Sequence, residues 1–244
     1  MKTSFILLKF MTIIASIIVF SMFLISCDED EPQIDITYGT MYDIEGNSYK
    51  TIKINDTEWM AENLKTTKYS SDSPINCPGT DTNAWRETTS GAYAVYNNSG
   101  SYESSYGLLY NAHAVLSTSG LCPAGWRIPT KGDFETLIAL FGNLGEAGAK
   151  LKSERTDPSP HPRWDLPNTG IDEPIGFDAL PSGIRYPNGE YNYLGTRCSF
   201  WTSSPNAPYD DGAYFFSFHY DNTIVGVATT IKNAGFAVRC VKDH

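Results

Sequence analysis

The sequence predicts a domain that mixes α and β structure and in which short antiparallel strands and turns predominate. Several short segments alternate apolar and polar residues between turn residues, and one segment repeats apolar residues with helical spacing. The chain has 244 residues, which suits one domain with a sizeable core after an N-terminal leader is removed. We find no internal repeat in the sequence, and no composition shift that indicates a second domain.

Five segments have the pattern of strands. Residues 49–54 alternate in polarity and follow the turn formed by Gly46 and Asn47. Residues 91–96 are a second candidate, and residues 213–220, 223–230 and 235–241 are three more near the C-terminus. Short polar turns separate these last three segments, so the sequence predicts an antiparallel meander there.

One helix has a predicted beginning and end. Thr130 can cap the first-turn amides, and Asp133 three residues later can complete a capping box. Gly142 is the expected end. The apolar stripe between them consists of Phe134, Leu137, Ile138 and Phe141. Residues 145–152 predict a second helix. Gly148 weakens it, because a glycine in a helix interior is unfavourable.

The N-terminus is typical of an exported lipoprotein. Two lysines flank an apolar run that ends in Ser26-Cys27, and acidic residues follow at once. This pattern predicts a signal peptide over residues 1–26, a lipid anchor on Cys27, an acidic tether over residues 27–40 and the folded domain over residues 41–244. A transmembrane helix is the alternative, because the run is about long enough to span a bilayer. No later segment is apolar enough to span.

The charge balance argues against nucleic acid as a partner. The chain carries 28 acidic and 18 basic residues, and removal of the leader with Lys2 and Lys9 makes it more acidic still. Phosphate recognition depends on clustered lysine and arginine, which the sequence lacks.

Four cysteines remain when Cys27 carries lipid. An even number outside the cytoplasm predicts two disulfides, although four cysteines allow three pairings and their spacing does not choose among them. Free buried thiols are the alternative. The four residues are Cys77, Cys122, Cys198 and Cys240.

Motifs for catalysis or metal binding are not found in the sequence. The four histidines lack a metal-ligand spacing, and we find no nucleophile elbow, phosphate-binding loop or EF-hand loop. A pair of glycosidase carboxylates depends on spatial distance, so the sequence leaves it open. We therefore expect a protein that is not an enzyme and needs neither cofactor nor metal.

Six motifs follow one another in order along residues 41–242. They are Trp59-Met60-Ala61-Glu62-Asn63-Leu64, Tyr106-Gly107-Leu108-Leu109-Tyr110-Asn111, the stretch from Leu121-Cys122 to Pro129-Thr130, Gly176-Phe177-Asp178 to Ser182-Gly183 with Arg185, Phe200-Trp201-Thr202-Ser203-Ser204, and Gly235-Phe236 to Cys240-Val241. This ordered set resembles the Fibrobacter succinogenes major paralogous domain family. That family is similar to the C-type-lectin-like group, which includes the formylglycine-generating enzymes. The resemblance implies an α+β fold with a twisted antiparallel sheet, one or two short helices and long ordered loops.

The resemblance also implies a disulfide, but the sequence lacks the metal ligands of the related lectins and enzymes. C-type-lectin-like domains commonly link the region after the first helices to the last strand, which implies Cys122–Cys240 and leaves Cys77–Cys198. The calcium-ligand triplets of the lectins and the paired copper-binding cysteines of the enzymes are missing from this sequence.

Several motif residues have a structural interpretation. We expect Trp59, Trp126 and Trp201 in the core rather than facing a ligand. Asn63, Arg127, Arg185 and Arg239 lie beside apolar stretches, and we expect them to bond to backbone carbonyls in a fold rich in loops.

Aromatic residues in polar surroundings are the candidates for ligand binding. Tyrosine and tryptophan offer rigid contact area with a polar tip, which suits a glycan or a protein surface. Residues 153–175 are proline-rich and aperiodic, so they predict a long exposed loop with Trp164, and the turn region 186–193 holds the other candidates. Packing between loops is the alternative for each residue. The candidates are Trp164, Tyr186, Tyr191 and Tyr193.

These observations together predict a non-catalytic glycan- or protein-binding module on the outer membrane. The acids after Cys27 resemble the export signal of surface lipoproteins in Bacteroidota, although an enterobacterial rule interprets Asp28 as retention at the inner membrane. A structural subunit of an envelope or adhesin assembly is the alternative function, and a glycan-processing enzyme is the third.

Overall fold

The computed structural model describes residues 33–154, 163–206 and 211–243. The predictions of a signal peptide over residues 1–26 and of a lipid anchor on Cys27 lie outside these ranges, as do residues 27–32 of the predicted tether. From Ile34 onward the described residues form one compact unit. None of the helices among them is long and apolar enough to cross a membrane.

The strands of the described residues form three antiparallel sheets. The first sheet has the order β1-β2-β3-β13-β6, with β1 (Ile36–Tyr42), β2 (Ser48–Ile54), β3 (Thr57–Met60), β6 (Trp126–Arg127) and β13 (Val241–Lys242). The second has the order β4-β5-β12-β7-β8, with β4 (Tyr93–Ala94), β5 (Leu109–Asn111), β7 (Ser182–Arg185), β8 (Tyr191–Leu194) and β12 (Gly235–Phe236). The third is β11-β10-β9, with β9 (Arg197–Pro205), β10 (Gly212–His219) and β11 (Gly226–Ile231).

Helices in the described residues are short and connect the sheets. They are α1 (Thr82–Glu87), α2 (Glu103–Tyr106), α3 (Ala112–Val115), α4 (Lys131–Ala139) and α5 (Gly148–Leu151), with one 3-10 turn at Tyr96–Asn98. The expected α+β architecture, with mostly antiparallel strands and few short helices, is confirmed, although five short α-helices lie in the described residues where one or two were expected.

Two apolar cores lie on opposite faces of the central strands. On β9, Phe200 faces one core and the neighbouring Trp201 faces the other, as successive strand residues must. Phe215 and Phe216 divide in the same way on β10. Because both faces are buried there, β9 and β10 each carry two adjacent aromatic residues at these positions instead of an alternating pattern.

Helix α4 confirms the predicted cap. The Thr130 hydroxyl accepts a hydrogen bond from the Asp133 amide, and the Asp133 carboxylate accepts one from the Thr130 amide. Phe134 then packs its ring on Trp59 and Phe216, with centroids 5.1 and 4.7 Å away. The weaker second helix is confirmed only as the single turn α5.

The predicted C-terminal meander is correct for β10 and β11 and wrong for residues 235–241. That segment is divided into β12 and β13, which belong to different sheets. Between them the chain bonds to three separate neighbours: Ala237 N to Ser199 O at 3.0 Å, Leu64 N to Val238 O at 2.9 Å, and Met60 N to Cys240 O at 2.9 Å. Partners distant in sequence therefore decide this backbone path.

The Cys122–Cys240 disulfide is confirmed, with the two Cα atoms 5.9 Å apart. The Cys77–Cys198 pairing is wrong, and both thiols are free. Cys198 lies opposite Phe218 within the core that holds Phe200, whereas Cys77 is exposed in the loop before α1. Burial raises the pKa of Cys198 to about 12, so its thiol stays neutral and unreactive.

The buried motif residues carry out the expected structural role, with one exception. Asn63, Arg185 and Arg239 each donate to backbone carbonyls. Arg127 instead pairs with Asp133 and Asp243 and bonds to no carbonyl that the structure records. Trp59 and Trp201 are buried as expected, and Trp126 is half-buried against the core that holds Trp201.

Candidate functional site

Trp164 is wrong as a ligand-facing candidate. Its side chain is 4 % exposed, and its indole N–H donates to the carbonyl of Ala179 at 2.9 Å. The ring packs in the core that holds Phe200, and Nζ of Lys152 lies 5.6 Å from the ring centroid. The described end of the predicted exposed loop therefore folds inward. The reason is that the tryptophan finds both apolar contacts and an acceptor there.

The β7–β8 hairpin brings the three tyrosine candidates into one region. The turn between the strands begins at Tyr186, whose amide donates to Glu190 O at 2.7 Å. Tyr191 and Tyr193 lie on β8, which is the edge strand next to β7 in the described part of this sheet. A tight turn through Gly195 and Thr196 then leads into Arg197, the first residue of β9.

Tyr186, Tyr193 and Arg197 form what we call the tyrosine face. The Tyr186 hydroxyl donates to the Tyr193 hydroxyl at 3.2 Å, and the two rings meet edge to face with centroids 6.3 Å apart. The Arg197 guanidinium carbon lies 5.8 Å from the Tyr193 ring centroid. Tyr193 is 39 % exposed, so the face offers an accessible ring with polar groups beside it.

Tyr191 points away from this face and has a structural role. Its ring and that of Trp85 enclose the Arg185 guanidinium, whose carbon lies 4.8 and 4.3 Å from the two centroids. Tyr191 also contacts Tyr96, and its hydroxyl donates to Oδ1 of Asn98 at 3.1 Å. We therefore assign Tyr191 to the support of the hairpin.

Bonds from the hairpin to distant loops fix its position. Arg185 donates through Nε to Gly189 O and through Nη2 to Gly79 O, both at 3.1 Å. The indole N–H of Trp85 donates to Tyr186 O at 3.2 Å and to Asn233 O at 2.9 Å. The tyrosine face thus rests on a rigid base of buried side chains.

The electrostatics of the face follow from its hydrogen bond and its partial burial. The hydrogen bond to Tyr193, with burial, raises the pKa of Tyr186. Burial lowers the pKa of Arg197, and no carboxylate is among the groups that act against this shift. The Tyr186 hydroxyl is therefore neutral at neutral pH, beside a guanidinium charge.

A separate cleft lies next to the disulfide and contains none of the predicted candidates. Its volume is about 360 Å³, and its lining includes Ser70, Ser117, Cys122, Trp126 and Ser203. Within the described residues no group of three or more His, Cys, Asp or Glu side chains is arranged to hold a metal ion.

Arg197 was missed in the sequence, although a signal was present. It follows Tyr193 by four residues across a turn that contains Gly195, and a β-turn brings the residues at its two ends close together. Tyr96 was missed because nothing local relates it to Tyr191, which is 95 positions away in the numbering.

The fold and the face define a mainly antiparallel α+β domain with an exposed aromatic hairpin. The model of the Fibrobacter succinogenes major domain matches residues 52–242 of the chain. The chain belongs to this family. No curated protein and no solved structure matches the chain.

Proposed function

We propose that the protein is a non-catalytic glycan-binding module and that it binds glycan at the tyrosine face. The observation that carries the proposal is the exposed Tyr193 ring, which stands beside the Tyr186 hydroxyl and the Arg197 guanidinium. A tyrosine ring packs against the apolar face of a sugar, while hydroxyl and guanidinium groups bond to its oxygens.

The backbone at Tyr193 supports this proposal. Its φ is 66°, in the left-handed region that non-glycine residues adopt at a cost of roughly 1–2 kcal/mol. Such conformations persist where the surrounding structure fixes them, and they concentrate at functional sites. Here the strain accompanies an exposed aromatic side chain on an edge strand.

The side chains around the face also suit a polar ligand. Asn188 and Asn192 are exposed on the same hairpin, and amides both donate and accept hydrogen bonds. Asn188 Nδ2 bonds to the Glu190 carboxylate at 2.8 Å, which orients both groups. Neutral hydrogen-bonding groups around a rigid ring are matched to the alternating apolar and hydroxyl surfaces of a sugar.

We infer that the domain has a C-type-lectin-like fold. The first strands and the last strand share one sheet, and the disulfide joins the segment after α3 to the residue before that last strand. This arrangement supports the relationship implied by the sequence motifs. An experimental structure of the chain from Asp28 to His244 tests it, and a different strand order would reject it.

We also propose that a lipid on Cys27 anchors the protein to the outer membrane with the domain outside the cell. The signal-like leader and the acids after Cys27 support this. Protease treatment of intact cells should remove the domain. Incorporation of a fatty-acid analogue should disappear in Cys27→Ala, and labelling that persists would reject the anchor.

A glycan array with the lipid-free chain from Asp28 to His244 tests binding. Bound glycans should be lost or strongly weakened in Tyr193→Ala. Tyr42→Ala is the matched control, because Tyr42 is 65 % exposed on β1 of a different sheet. Equal binding by both variants would reject the tyrosine face. Capture of an envelope protein through Tyr193, with no glycan bound, would reject glycan as the ligand.

A further inference from the structure

We propose that the tyrosine face selects glycans that carry a carboxylate, which the Arg197 guanidinium binds. This inference rests on the proposed glycan binding and specifies the chemical class of the sugar. It goes beyond the family match, which assigns no ligand to any residue.

Arg197 is held in place by one bond that leaves its outer edge free. Its Nε donates to the hydroxyl of Ser199 at 3.2 Å. The guanidinium carbon lies 5.8 Å from the ring centroids of both Tyr193 and Phe215, so the plane is positioned between two aromatic side chains. The two terminal nitrogens, Nη1 and Nη2, thus remain as a pair of donors.

Those two nitrogens have no acceptor among the residues that the structure describes. No carboxylate in the described ranges lies within ion-pair distance of Arg197, and neither terminal nitrogen is fully buried. Arg127 and Arg86 differ, since each pairs with at least one carboxylate. Arg197 therefore presents an unpaired guanidinium beside the exposed Tyr193 ring.

Tyr193 adds a donor to the same side. Its hydroxyl oxygen accepts the bond from Tyr186, so its own O–H remains available to a ligand. A carboxylate accepts two parallel N–H bonds from one guanidinium, and such charged pairs are stronger than neutral hydrogen bonds. The sugar ring that bears the carboxylate then lies against Tyr193.

The surrounding charges favour a single carboxylate over a dense polyanion. The chain has a net charge of −10, which repels polyanions in general. Glu190 lies close enough to influence Tyr186 and adds a negative charge to the hairpin. A heavily sulfated chain carries further negative charges that Glu190 repels, whereas a single acidic sugar carries only the charge that Arg197 binds.

The experiment compares uronic-acid oligosaccharides with the same oligosaccharides after their carboxylates have been reduced to alcohols. The lipid-free chain should bind the acidic probes more tightly, and rising salt should weaken that preference. Arg197→Gln should lower affinity for the acidic probes by roughly 10- to 100-fold, which removes the preference. Arg197→Lys should retain part of it, because lysine keeps the charge without the fork.

Lys53→Gln is the control for charge, since Lys53 is exposed on β2 in another sheet. Thermal melts of each variant show whether it is folded. Equal affinity for acidic and reduced probes, a preference for sulfated neutral sugars, or an unchanged preference in folded Arg197→Gln would each overturn the inference. In those cases loss of binding in Tyr193→Ala would still uphold the proposed function. If the chain binds no glycan at all, the proposed function and this inference both fail.

Discussion

Arg239 Nε donates a hydrogen bond to Oδ1 of Asn63 across 3.0 Å, although the two residues are 176 positions apart. Asn63 in turn donates to the Tyr106 carbonyl at 2.9 Å, and Arg239 also donates to the carbonyls of Phe177 and Asp178. The guanidinium carbon lies 4.6 Å from the Phe177 centroid. These bonds join four of the sequence motifs inside one buried network.

The first prediction is that Asn63→Ala strongly destabilises the domain. The substitution removes the acceptor of a buried guanidinium and the donor to a buried carbonyl, at a cost of about 2–4 kcal/mol. Urea denaturation of the lipid-free chain measures the free energy of unfolding. Lys53→Ala, at an exposed position, should change it by less than about 0.5 kcal/mol. Equal effects of the two substitutions would contradict the network.

Local sequence signals predicted the elements that local contacts determine. Thr130 and Asp133 are three residues apart, so their capping box and helix α4 could be predicted from spacing alone. Residues 235–241 were predicted as one strand because their apolar pattern is continuous. Their division between two sheets depends on Ser199, Leu64 and Met60, which no local window contains.

The sequence also predicted only those parts of the candidate site whose residues lie close together along the chain. Tyr186 and Tyr193 lie on one hairpin, so the turn region indicated both. Trp164 stands among polar residues and prolines, and its burial depends on the Ala179 carbonyl and on Lys152. The Cys77–Cys198 pairing was wrong because elimination considers neither burial nor distance, and Cys198 is inside a core.

The second prediction concerns the disulfide. Cys122 and Cys240 are separated by 118 residues, so their bond stabilises by roughly 4–5 kcal/mol in the chain-entropy model. A Cys122→Ala, Cys240→Ala double variant should therefore unfold at a much lower urea concentration than the parent chain. Added reductant should lower the parent midpoint in the same way and leave the double variant unaffected. A reductant effect of equal size on both chains would contradict the assignment.

The third prediction is an order of thiol labelling. In the native lipid-free chain, an alkylating reagent should modify Cys77 alone, because Cys198 is fully buried and burial raises its thiol pKa to about 12. Denaturation without reductant should add Cys198, and reduction should then add Cys122 and Cys240. Mass spectrometry reads each step. Native protection of both Cys77 and Cys198 would indicate the rejected disulfide.

The fourth prediction is a loss of stability in acid through Asp133. Burial raises its pKa, but bonds from Arg127 and Thr130 outweigh this and lower it to about 2, against a reference value of 3.8. A lowered folded-state pKa contributes stability above about pH 4 that disappears as the pH falls towards 2. For this partly exposed group we expect about 1–2 kcal/mol.

Comparison with Asp133→Asn isolates that contribution. The variant should be less stable than the parent at pH 7, and the two should converge as the pH approaches 2. Asp56→Asn, at an exposed turn, is the matched control, and its difference in stability from the parent should not shrink as the pH falls. A difference between parent and Asp133→Asn that stays constant from pH 7 to pH 2 would contradict the ionic role of Asp133.

The last prediction is that Lys152→Met releases the segment around Trp164. Nζ of Lys152 donates to the carbonyls of Thr169, His219 and Asn222 at 3.0, 3.0 and 2.9 Å, so three acceptors match the three donors of an ammonium. Burial lowers the pKa of Lys152 to about 8, which leaves the group mostly protonated at pH 7. Methionine keeps the length of the stem but leaves three carbonyls without this donor, at a cost of about 1–3 kcal/mol.

Hydrogen exchange in Lys152→Met should become faster at the Thr169 amide, which donates to Tyr220 O, while α4 amides should change only with global stability. Lys150→Met is the matched control, since Lys150 pairs with the exposed carboxylates of Asp172 and Glu173. Equal exchange at Thr169 in both variants would show that Lys152 does not hold this segment.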